Sequence, residues 1–367
     1  MSTLRVGVLG CGMILGKYLK TIARLPHVEV VAVSDLLPER AEKVAADLPG
    51  ARAVTPEGLL ADPDVDLVLN LTIPAVHYET TLAALAAGKH VYVEKPLATT
   101  LEEGKELVAA AQAAGLRLGV APDTVLGTGI QTARAVVDEG GIGRVLAASA
   151  FFAGGGPDNF HATPAFFYQP GGGPLLDMGP YYVTSLVTLL GPVRRVSALA
   201  SSLRPTRTST GGPNEGGSFD VAVPTHVSAT LEHEGGVLST LVASFDVAGG
   251  SRLPRIEVYG VDGTINVPDP NTFGGEVVRH LATGGDWQPV AVSAGAEDSE
   301  RGTGIADMAG ALAEGRPHRA SSELALHVLD VLTTIEAAAA AGQALETTTT
   351  CQRPEPMPLV PQEQVGA

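Results

Sequence analysis

The sequence predicts an α/β protein with an N-terminal doubly wound parallel sheet and a C-terminal α+β domain built on an open, mainly antiparallel sheet. Two patterns support this prediction. Between Leu4 and Ala121, short apolar runs alternate with helical stretches at the spacing of βα units. Beyond Pro122, apolar residues alternate with polar ones, as they do in antiparallel strands.

The apolar runs of the first region predict parallel strands, because strands covered on both faces need no polar alternation. These runs are RVGVLG (5–10), VEVVAVSD (28–35), DLVLNLT (66–72), KHVYVEKP (89–96) and LRLGVAP (116–122). The helices between them include TTLAALAAG (80–88) and LEEGKELVAAAQAAG (101–115), whose terminal glycines suit a left-handed C-cap. We therefore assign residues 1–122 to a first domain.

Two glycine-centred turns shape the second region. Gly235 and Gly236 separate two alternating runs within residues 225–247, which is typical of a β-hairpin. Residues 255–267 repeat this pattern around an Asp-Gly pair. The second region is therefore predicted to contain an antiparallel sheet.

Helices are predicted at both ends of this second region. One lies near GIQTARAVVDEGG (129–141), and the other spans 321–342 and ends at Gly342. The second domain is therefore assigned to 123–345. The proline-rich tail, 346–367, is expected to be extended and partly mobile.

The charge balance argues against two kinds of partner. The chain has 40 acidic and 24 basic side chains, and the resulting net charge of −16 repels nucleic-acid phosphates and anionic lipid. We therefore expect neither nucleic acid nor a membrane as a partner. The first apolar run is too short for a signal peptide, and two cysteines give no disulfide framework, so we expect a cytoplasmic protein.

A glycine motif follows the first predicted strand. Gly10, Gly12 and Gly16 open a helix there, so backbone N–H groups and the helix dipole can face a pyrophosphate. The triplet alone also fits a tight strand-to-helix turn. A second signal is Asp35 at the end of the second strand, which can bond both ribose hydroxyls of a dinucleotide and repel a 2′-phosphate. This favours NAD, although Arg40 leaves NADP open and Asp35 could instead cap a turn.

Residues 72–96 contain the most specific segments of the chain. TIPAVH (72–77), AGKHVYV (87–93) and EKP (94–96), together with the glycine motif and GGGPLLDMG (171–179), resemble the Gfo/Idh/MocA oxidoreductases. That family is named for glucose-fructose oxidoreductase, inositol dehydrogenase and a rhizopine catabolism protein. The resemblance covers roughly residues 1–345.

The resemblance implies a Rossmann domain, a second domain with an open sheet, a nicotinamide cofactor and sugar or cyclitol substrates. It also implies that Lys95 lies beside the nicotinamide and the reacting carbon, ahead of a cis Lys-Pro bond. Thr72, His77 and Glu94 would line the cofactor on the family pattern. We add three neighbouring residues to the expected cofactor site: Met13, Ile14 and Ile73.

The position of Lys95 also carries an argument independent of the family. At the carboxyl end of a parallel strand, its amine points toward the crevice where ligands bind in α/β sheets. A solvated lysine beside a helix is the alternative, but Pro96 fixes the backbone where the strand would otherwise continue. His77, a lone histidine at the start of a helix, is expected to be a structural hydrogen-bonder rather than a participant in the chemistry.

GGGPLLDMGPYY departs from the family pattern. Family members commonly read Asp-x-Gly-x-His here, with the aspartate and the histidine four apart on one helical face, whereas this chain has Asp177 and, four residues later, Tyr181. A phenol has a reference pKa of about 10, against about 6.5 for imidazole, so a nearby ammonium such as Lys95 would have to favour the phenolate. We predict Tyr181 as proton donor or acceptor, Lys95 as its electrostatic partner and Asp177 as the orienter of substrate hydroxyls. Alternatively, Tyr181 and Tyr182 pack the helix and Lys95 alone handles the proton.

Four further residues are candidates for substrate binding. Asp123 and Thr124 lie at the predicted domain junction, where capping of a helix is an equal alternative. The Gly-rich loop 154–173 is expected to be a flexible cover over a sugar, with His161 and Tyr168 as its contact residues.

The function predicted from these residues is an NAD(P)-dependent oxidoreductase. It would move a hydride between the nicotinamide and a carbinol carbon of a sugar, cyclitol or glycoside. Two alternatives stay open: a non-redox enzyme with tightly bound, regenerated NAD, and a catalytically silent dinucleotide sensor. We expect a homodimer or homotetramer associated through the sheet of the second domain, and no metal.

Overall fold

The computed structural model of the protein describes residues 3–366. It contains two compact units, each assembled from separate stretches of chain. Unit 1 comprises the chain up to Gln131, Ser293–Leu329 and the chain from Pro354 onward, whereas unit 2 comprises Thr132–Val292 and Asp330–Arg353. The predicted boundaries placed everything after residue 122 in the second domain or the tail. Two later segments instead return to unit 1.

The helices have well-defined bounds. They are α1 (Leu15–Ile22), α2 (Pro38–Asp47), α3 (Pro56–Ala61), α4 (His77–Ala86), α5 (Leu101–Ala114), α6 (Thr128–Asp138), α7 (Gly173–Leu190), α8 (Thr303–Glu314) and α9 (Ser322–Ala341). The predicted C-caps are confirmed at α5, where Gly115 has φ 66°, and at α9, where Gly342 has φ 64°. At its start α5 has a capping box, in which Thr100 and Glu103 bond each other's backbone N–H groups.

Unit 1 contains the predicted doubly wound parallel sheet, with strand order β3-β2-β1-β4-β5-β6. The strands are β1 (Leu4–Leu9), β2 (Val28–Ser34), β3 (Arg52–Ala53), β4 (Leu67–Asn70), β5 (His90–Val93) and β6 (Leu118–Val120). β3 was not predicted, because its two residues are exposed and give no apolar run. All these pairings are parallel, so the carboxyl ends of the strands share one edge.

The C-terminal tail is packed against the rest of the protein, which corrects its expected mobility. Its residues up to Arg353 belong to unit 2, and those from Pro354 onward belong to unit 1. Met357 and Val365 are buried in the same core cluster as Val6 and Leu15 of the first βα unit. The tail strand β19 (Val360–Pro361) pairs with β17 (Ala296–Glu297). The proline content suggested an extended and mobile chain, but burial of these apolar side chains holds the tail in place.

Unit 2 is built on a nine-stranded sheet with order β16-β15-β14-β13-β7-β12-β11-β8-β18. The described pairings are antiparallel except for β7 with β12, as expected for a mainly antiparallel sheet. The predicted hairpin turn is confirmed at Gly235 and Gly236, with φ 91° and 86°. The strands are β7 (Val145–Ala153), β8 (Val193–Ser201), β11 (His226–His233), β12 (Leu238–Ser244), β13 (Ile256–Gly260), β14 (Gly263–Val267), β15 (Val278–Leu281), β16 (Gln288–Pro289) and β18 (Leu345–Glu346), with β9 (Thr206–Thr208) and β10 (Ser218–Asp220) paired separately.

Helix α9 is long and apolar enough to cross a membrane by length and composition alone, with a mean hydropathy of 1.5. Half of it is buried within the protein. It also carries the buried carboxylate of Asp330, which accepts hydrogen bonds from the backbone N–H groups of Thr348 and Thr349. These features are those of a core helix.

Candidate active site

The glycine loop leaves room for a ligand above helix α1. Gly10 has φ 102°, and a Cβ there would lie 2.7 Å from the carbonyl oxygen of Leu71, so no other residue fits. At Gly12 an added Cβ would meet no atom within 4 Å. Across the described chain, no side chain caps the N-terminus of α1. The first N–H groups of the helix therefore suit the binding of a pyrophosphate.

Asp35 lies where β2 ends and contacts the glycine loop directly. Its Oδ2 accepts the N–H of Cys11 at 2.8 Å, and its Oδ1 accepts the N–H of Leu37 at 2.9 Å. These two bonds fit the alternative in which Asp35 caps a turn. A carboxylate can accept further bonds, so the same group also fits ribose hydroxyls. Arg40 is exposed in the first turn of α2.

Large apolar side chains are exposed beside the ends of β1, β2 and β4. Met13 and Ile73, two of the expected cofactor residues, are 81% and 64% exposed. Leu36 is 90% exposed beside Asp35, and sequence reasoning did not identify it. Exposed apolar surface next to polar loops is typical of a ligand site and fits the flat rings of a dinucleotide. Ile14 is different, because it is partly buried against the core.

His77 is buried and braces two loops. Its Nδ1 lies 2.7 Å from the carbonyl oxygen of Pro96, and its Nε2 lies 3.0 Å from that of Thr72. Burial lowers the pKa of its imidazole. The family pattern placed His77 along the cofactor, but the structure gives it the bracing position that a lone histidine at a helix start suggested. Asn70, which the sequence analysis missed, fixes the hydroxyl of Thr72 through a 2.7 Å bond.

Glu94 is also turned inward. Its side chain accepts hydrogen bonds from the phenol of Tyr18 at 2.8 Å and from the N–H of Lys95 at 3.0 Å. Burial and the charge of Glu94 raise the pKa of Tyr18 well above its usual value. Tyr18, which no sequence signal marked, thus joins helix α1 to the Glu-Lys-Pro motif.

Lys95 lies two residues after the end of β5 and is half-buried. The Lys95–Pro96 bond is cis, as the resemblance implied. The backbone on either side of the lysine is fixed, because Glu94 binds Tyr18 and the carbonyl of Pro96 contacts His77. The lysine is therefore presented at the carboxyl edge of the parallel sheet by a rigid support.

Asp123 and Thr124 are fully buried, which corrects their expected role as substrate ligands. The carboxylate of Asp123 accepts the N–H groups of Gly302 at 2.8 Å and Gly304 at 2.9 Å, at the start of α8. Burial raises the pKa of this carboxyl. The capping alternative is therefore the right one, but the capped helix is α8. Sequence order could not reveal this, since α8 begins at Thr303.

In unit 2, Asp177 and Tyr181 lie in the first half of α7, four residues apart as predicted. Asp177 is half-buried and Tyr181 is buried. Pro180 lies inside the helix and has no N–H, so the carbonyl of Leu176 lacks its helical partner next to both residues. Tyr182 packs against Phe152 with ring centroids 6.1 Å apart, and burial raises its pKa.

The loop 154–173 is only partly packed, because Asp158 and Tyr168 are buried whereas Phe160 and Phe166 are exposed; its flexibility stays a prediction. Tyr168 is buried, and its phenol donates a 2.5 Å hydrogen bond to Asp158, so it does not face a substrate. His161 is half-buried and packs edge-on against Phe166 and Phe167, with centroids 5.4 and 5.0 Å away.

Comparisons with known proteins match both halves of the chain. Residues 4–121 match the model described as oxidoreductase family, NAD-binding Rossmann fold. Residues 130–266 match the GFO/IDH/MocA C-terminal domain.

Two curated relatives illustrate the similarity. The 1,5-anhydro-D-fructose reductase of Ensifer adhaerens is 37% identical over 175 residues, 47% of this chain and 53% of the relative. The chain thus spans about half the length of that protein. Inositol 2-dehydrogenase 3 of Saccharopolyspora erythraea is 32% identical over 277 residues, 74% of this chain and 75% of the relative.

The fold also has solved counterparts. The crystal structure of an NAD binding oxidoreductase from Klebsiella pneumoniae superposes with a TM-score of 0.83 at 23% identity. The match covers 95% of this chain and 100% of that one. At this identity the likeness shows a shared fold.

Proposed function

The chain belongs to the Gfo/Idh/MocA family of oxidoreductases, and we propose that it interconverts a secondary alcohol and a ketone on a sugar, cyclitol or glycoside. The names of the two curated relatives point to anhydrosugars and inositols as the chemical class. Oxidation and reduction would use the same residues, so the proposal covers both directions. A 3-ketosugar reductase or a glycoside 3-dehydrogenase is a narrower form of it.

We assign the cofactor to the carboxyl edge of the parallel sheet of unit 1. The N–H groups at the start of α1 would hold the pyrophosphate, and Asp35 would bond the ribose hydroxyls. The negative charge of Asp35 favours NAD over NADP, whereas the exposed Arg40 is the side chain that could bind a 2′-phosphate through its guanidinium. When bound, the nicotinamide accepts or supplies the hydride.

The observation that carries the proposal is the rigid presentation of Lys95 at that edge. An ammonium there can bind the substrate oxygen and stabilise negative charge as the alcohol loses its proton. We assign the proton itself to Tyr181 and the orientation of substrate hydroxyls to Asp177. If Tyr181 is only a packing residue, Lys95 takes the proton.

We also propose a cellular and quaternary setting. Unit 2 would supply the substrate-binding residues and the surface for a homodimer or homotetramer, through its broad sheet. Both cysteines, Cys11 and Cys351, are free thiols, which fits the cytoplasm.

The proposal is tested by a screen of sugars, inositols and glycosides with NAD and NADP, and of ketosugars with the reduced cofactors. We expect Lys95→Ala to lose most of the turnover yet retain NAD binding. Lys43→Ala, on the exposed face of α2, is the matched control. Tyr181→Phe should lower turnover and change the pH profile, whereas the buried control Tyr182→Phe should do neither.

Three results would overturn the proposal. No net change in cofactor with any substrate, together with NAD that stays bound through purification, would identify an enzyme that regenerates its NAD. A Lys95→Ala variant with unchanged turnover would remove the lysine from the mechanism. Dinucleotide binding without any turnover of sugars would indicate a sensor.

A further inference from the structure

Arg207 is a buried cation at the centre of a group of loops in unit 2. It lies on β9, and its side chain is 2% exposed. Its Nη2 donates to Asp158 Oδ2 at 3.0 Å, and its Nη1 donates to Asp246 Oδ1 at 2.7 Å. It also donates to the carbonyl oxygens of Gly155 at 2.5 Å and Phe245 at 3.1 Å. A guanidinium held by so many acceptors is rigid, and losing it would leave the buried Asp158 and the partly buried Asp246 without a countercharge.

A second layer of contacts surrounds this cation. The guanidinium carbon lies 5.1 Å from the ring centroid of Tyr168, which is within the range of a cation–π contact. Tyr168 also donates to Asp158, and Thr225 donates to Asp246 at 2.5 Å. Arg207 thereby joins the loop after β7, the loop after β12 and the start of β11.

These segments meet where the C-terminal ends of β7 and β12 and the start of β11 lie side by side in the nine-stranded sheet. β7 and β12 run parallel with Ala153 opposite Ser244, so their following loops leave from the same edge. β11 begins there too, since His226 pairs with Ser244. Helix α7 starts close by, because a Cβ on Gly173 would lie 3.2 Å from the carbonyl oxygen of Pro224. Asp177 and Tyr181 occupy the first turns of that helix.

The loop held by Arg207 presents aromatic rings to solvent. Phe160 is 71% exposed and Phe166 is 47% exposed. Phe166 stacks on Phe167 with centroids 4.0 Å apart, and His161 packs on both. Exposed rings on a fixed loop form a surface that fits the apolar C–H face of a sugar or cyclitol ring.

We propose that Arg207 is a positioning residue that fixes this aromatic loop beside Asp177 and Tyr181, and thereby sets the affinity for the carbohydrate substrate. The inference rests on the proposed function for its substrate class. Arg207 itself would touch neither substrate nor cofactor.

The test compares Arg207→Gln and Arg207→Lys with the control Arg194→Lys. Arg194 is an exposed arginine of the same unit that pairs with Glu232, so its replacement should change nothing. We expect Arg207→Gln to raise the KM for the sugar roughly ten- to hundredfold while the KM for NAD stays within about twofold. Lysine keeps the charge but not the fork, so Arg207→Lys should recover part of the loss.

Limited cleavage by chymotrypsin provides a readout that needs no turnover. Cleavage after Phe160 and Phe166 should be faster in Arg207→Gln than in the wild type, with Arg207→Lys in between. Asp158→Asn, which removes one charge from the other side of the cluster, should accelerate cleavage as well, and circular dichroism would show that the variants are folded.

The outcomes separate the two proposals. An unchanged KM for the sugar, or equal increases in KM for sugar and NAD, would overturn the role of Arg207. If the wild type turns over no carbohydrate, the proposed function fails and the substrate role of Arg207 falls with it. The cleavage rates would still decide whether Arg207 holds the loop.

Discussion

The phenol of Tyr18 donates a 2.8 Å hydrogen bond to the buried carboxylate of Glu94. This single contact links the helix that follows the glycine loop to the strand end that carries Lys95. The hydrogen bond thus connects the glycine-loop side of the candidate cofactor site with the Lys95 side. A substitution on one side should therefore affect the structure of the other.

Replacing Tyr18 by phenylalanine should weaken both stability and cofactor binding. Glu94 would keep a buried oxygen without its donor, which costs about 1–3 kcal/mol of the free energy of unfolding. Urea unfolding and NAD titration would measure the two effects. Tyr78→Phe is the matched control, because Tyr78 donates to Glu106 at the surface and its loss should stay within about 0.5 kcal/mol. Equal effects of the two variants would contradict this.

Substitutions at the two glycines of the loop should have different effects, one on stability and the other on NAD affinity. Gly10→Ala forces a Cβ against the carbonyl of Leu71 at a positive φ and should cost about 1–3 kcal/mol of stability. Gly12→Ala meets no atom within 4 Å, so its stability should be unchanged while NAD affinity falls. Thermal unfolding with and without NAD distinguishes these effects. Retained NAD affinity in a folded Gly12→Ala variant would place the dinucleotide elsewhere.

Removing the charge of Asp35 should shift the cofactor preference. Asp35→Asn keeps the shape of the side chain but no longer repels a 2′-phosphate, and Arg40 remains nearby. We expect the ratio of kcat/KM for NADP to that for NAD to rise roughly tenfold, equivalent to about 1.4 kcal/mol. Asp47→Asn, at the exposed end of α2, controls for net charge. No change in the ratio would remove Asp35 from the ribose site.

Stability should fall as the pH drops below about 6.5, the ordinary pKa of histidine. Burial lowers the pKa of His77 in the folded protein, so the unfolded chain takes up the proton first. Buried or partly buried His27, His90 and His318 shift in the same direction and add to the effect. His77→Gln should reduce the slope of unfolding free energy against pH by up to about 1.4 kcal/mol per unit. Denaturant unfolding at several pH values would measure this slope. An unchanged slope in the variant would exclude a contribution of His77 to the pH dependence of stability.

Local patterns in the sequence predicted much of the fold. The glycine loop, the C-cap at Gly115 and the hairpin at Gly235 each depend on neighbouring residues, and the structure confirms them. The helix that carries Tyr181 was expected from the family pattern and is present as α7, whereas the role of Tyr181 in the chemistry stays a prediction.

Long-range packing explains what the sequence did not predict. Asp123 caps a helix that begins at Thr303, and Tyr168 is buried in a cluster centred on Arg207. Thr303 is far from Asp123 in sequence and Arg207 is far from Tyr168, and no periodicity marks either contact. The residues that support the candidate site, Tyr18 and Asn70, were missed because buried polar contacts leave no local pattern.

The return of the last residues to unit 1 bears on how the protein is made. Met357 and Val365 share a core with Leu4 and Val6, so this core stays incomplete until both residues have been synthesised. A fragment of residues 1–122 would expose that apolar surface and should aggregate. The core of unit 1 therefore closes only after the stretch 132–292 of unit 2 has been made, although most of the sequence of unit 1 is translated first.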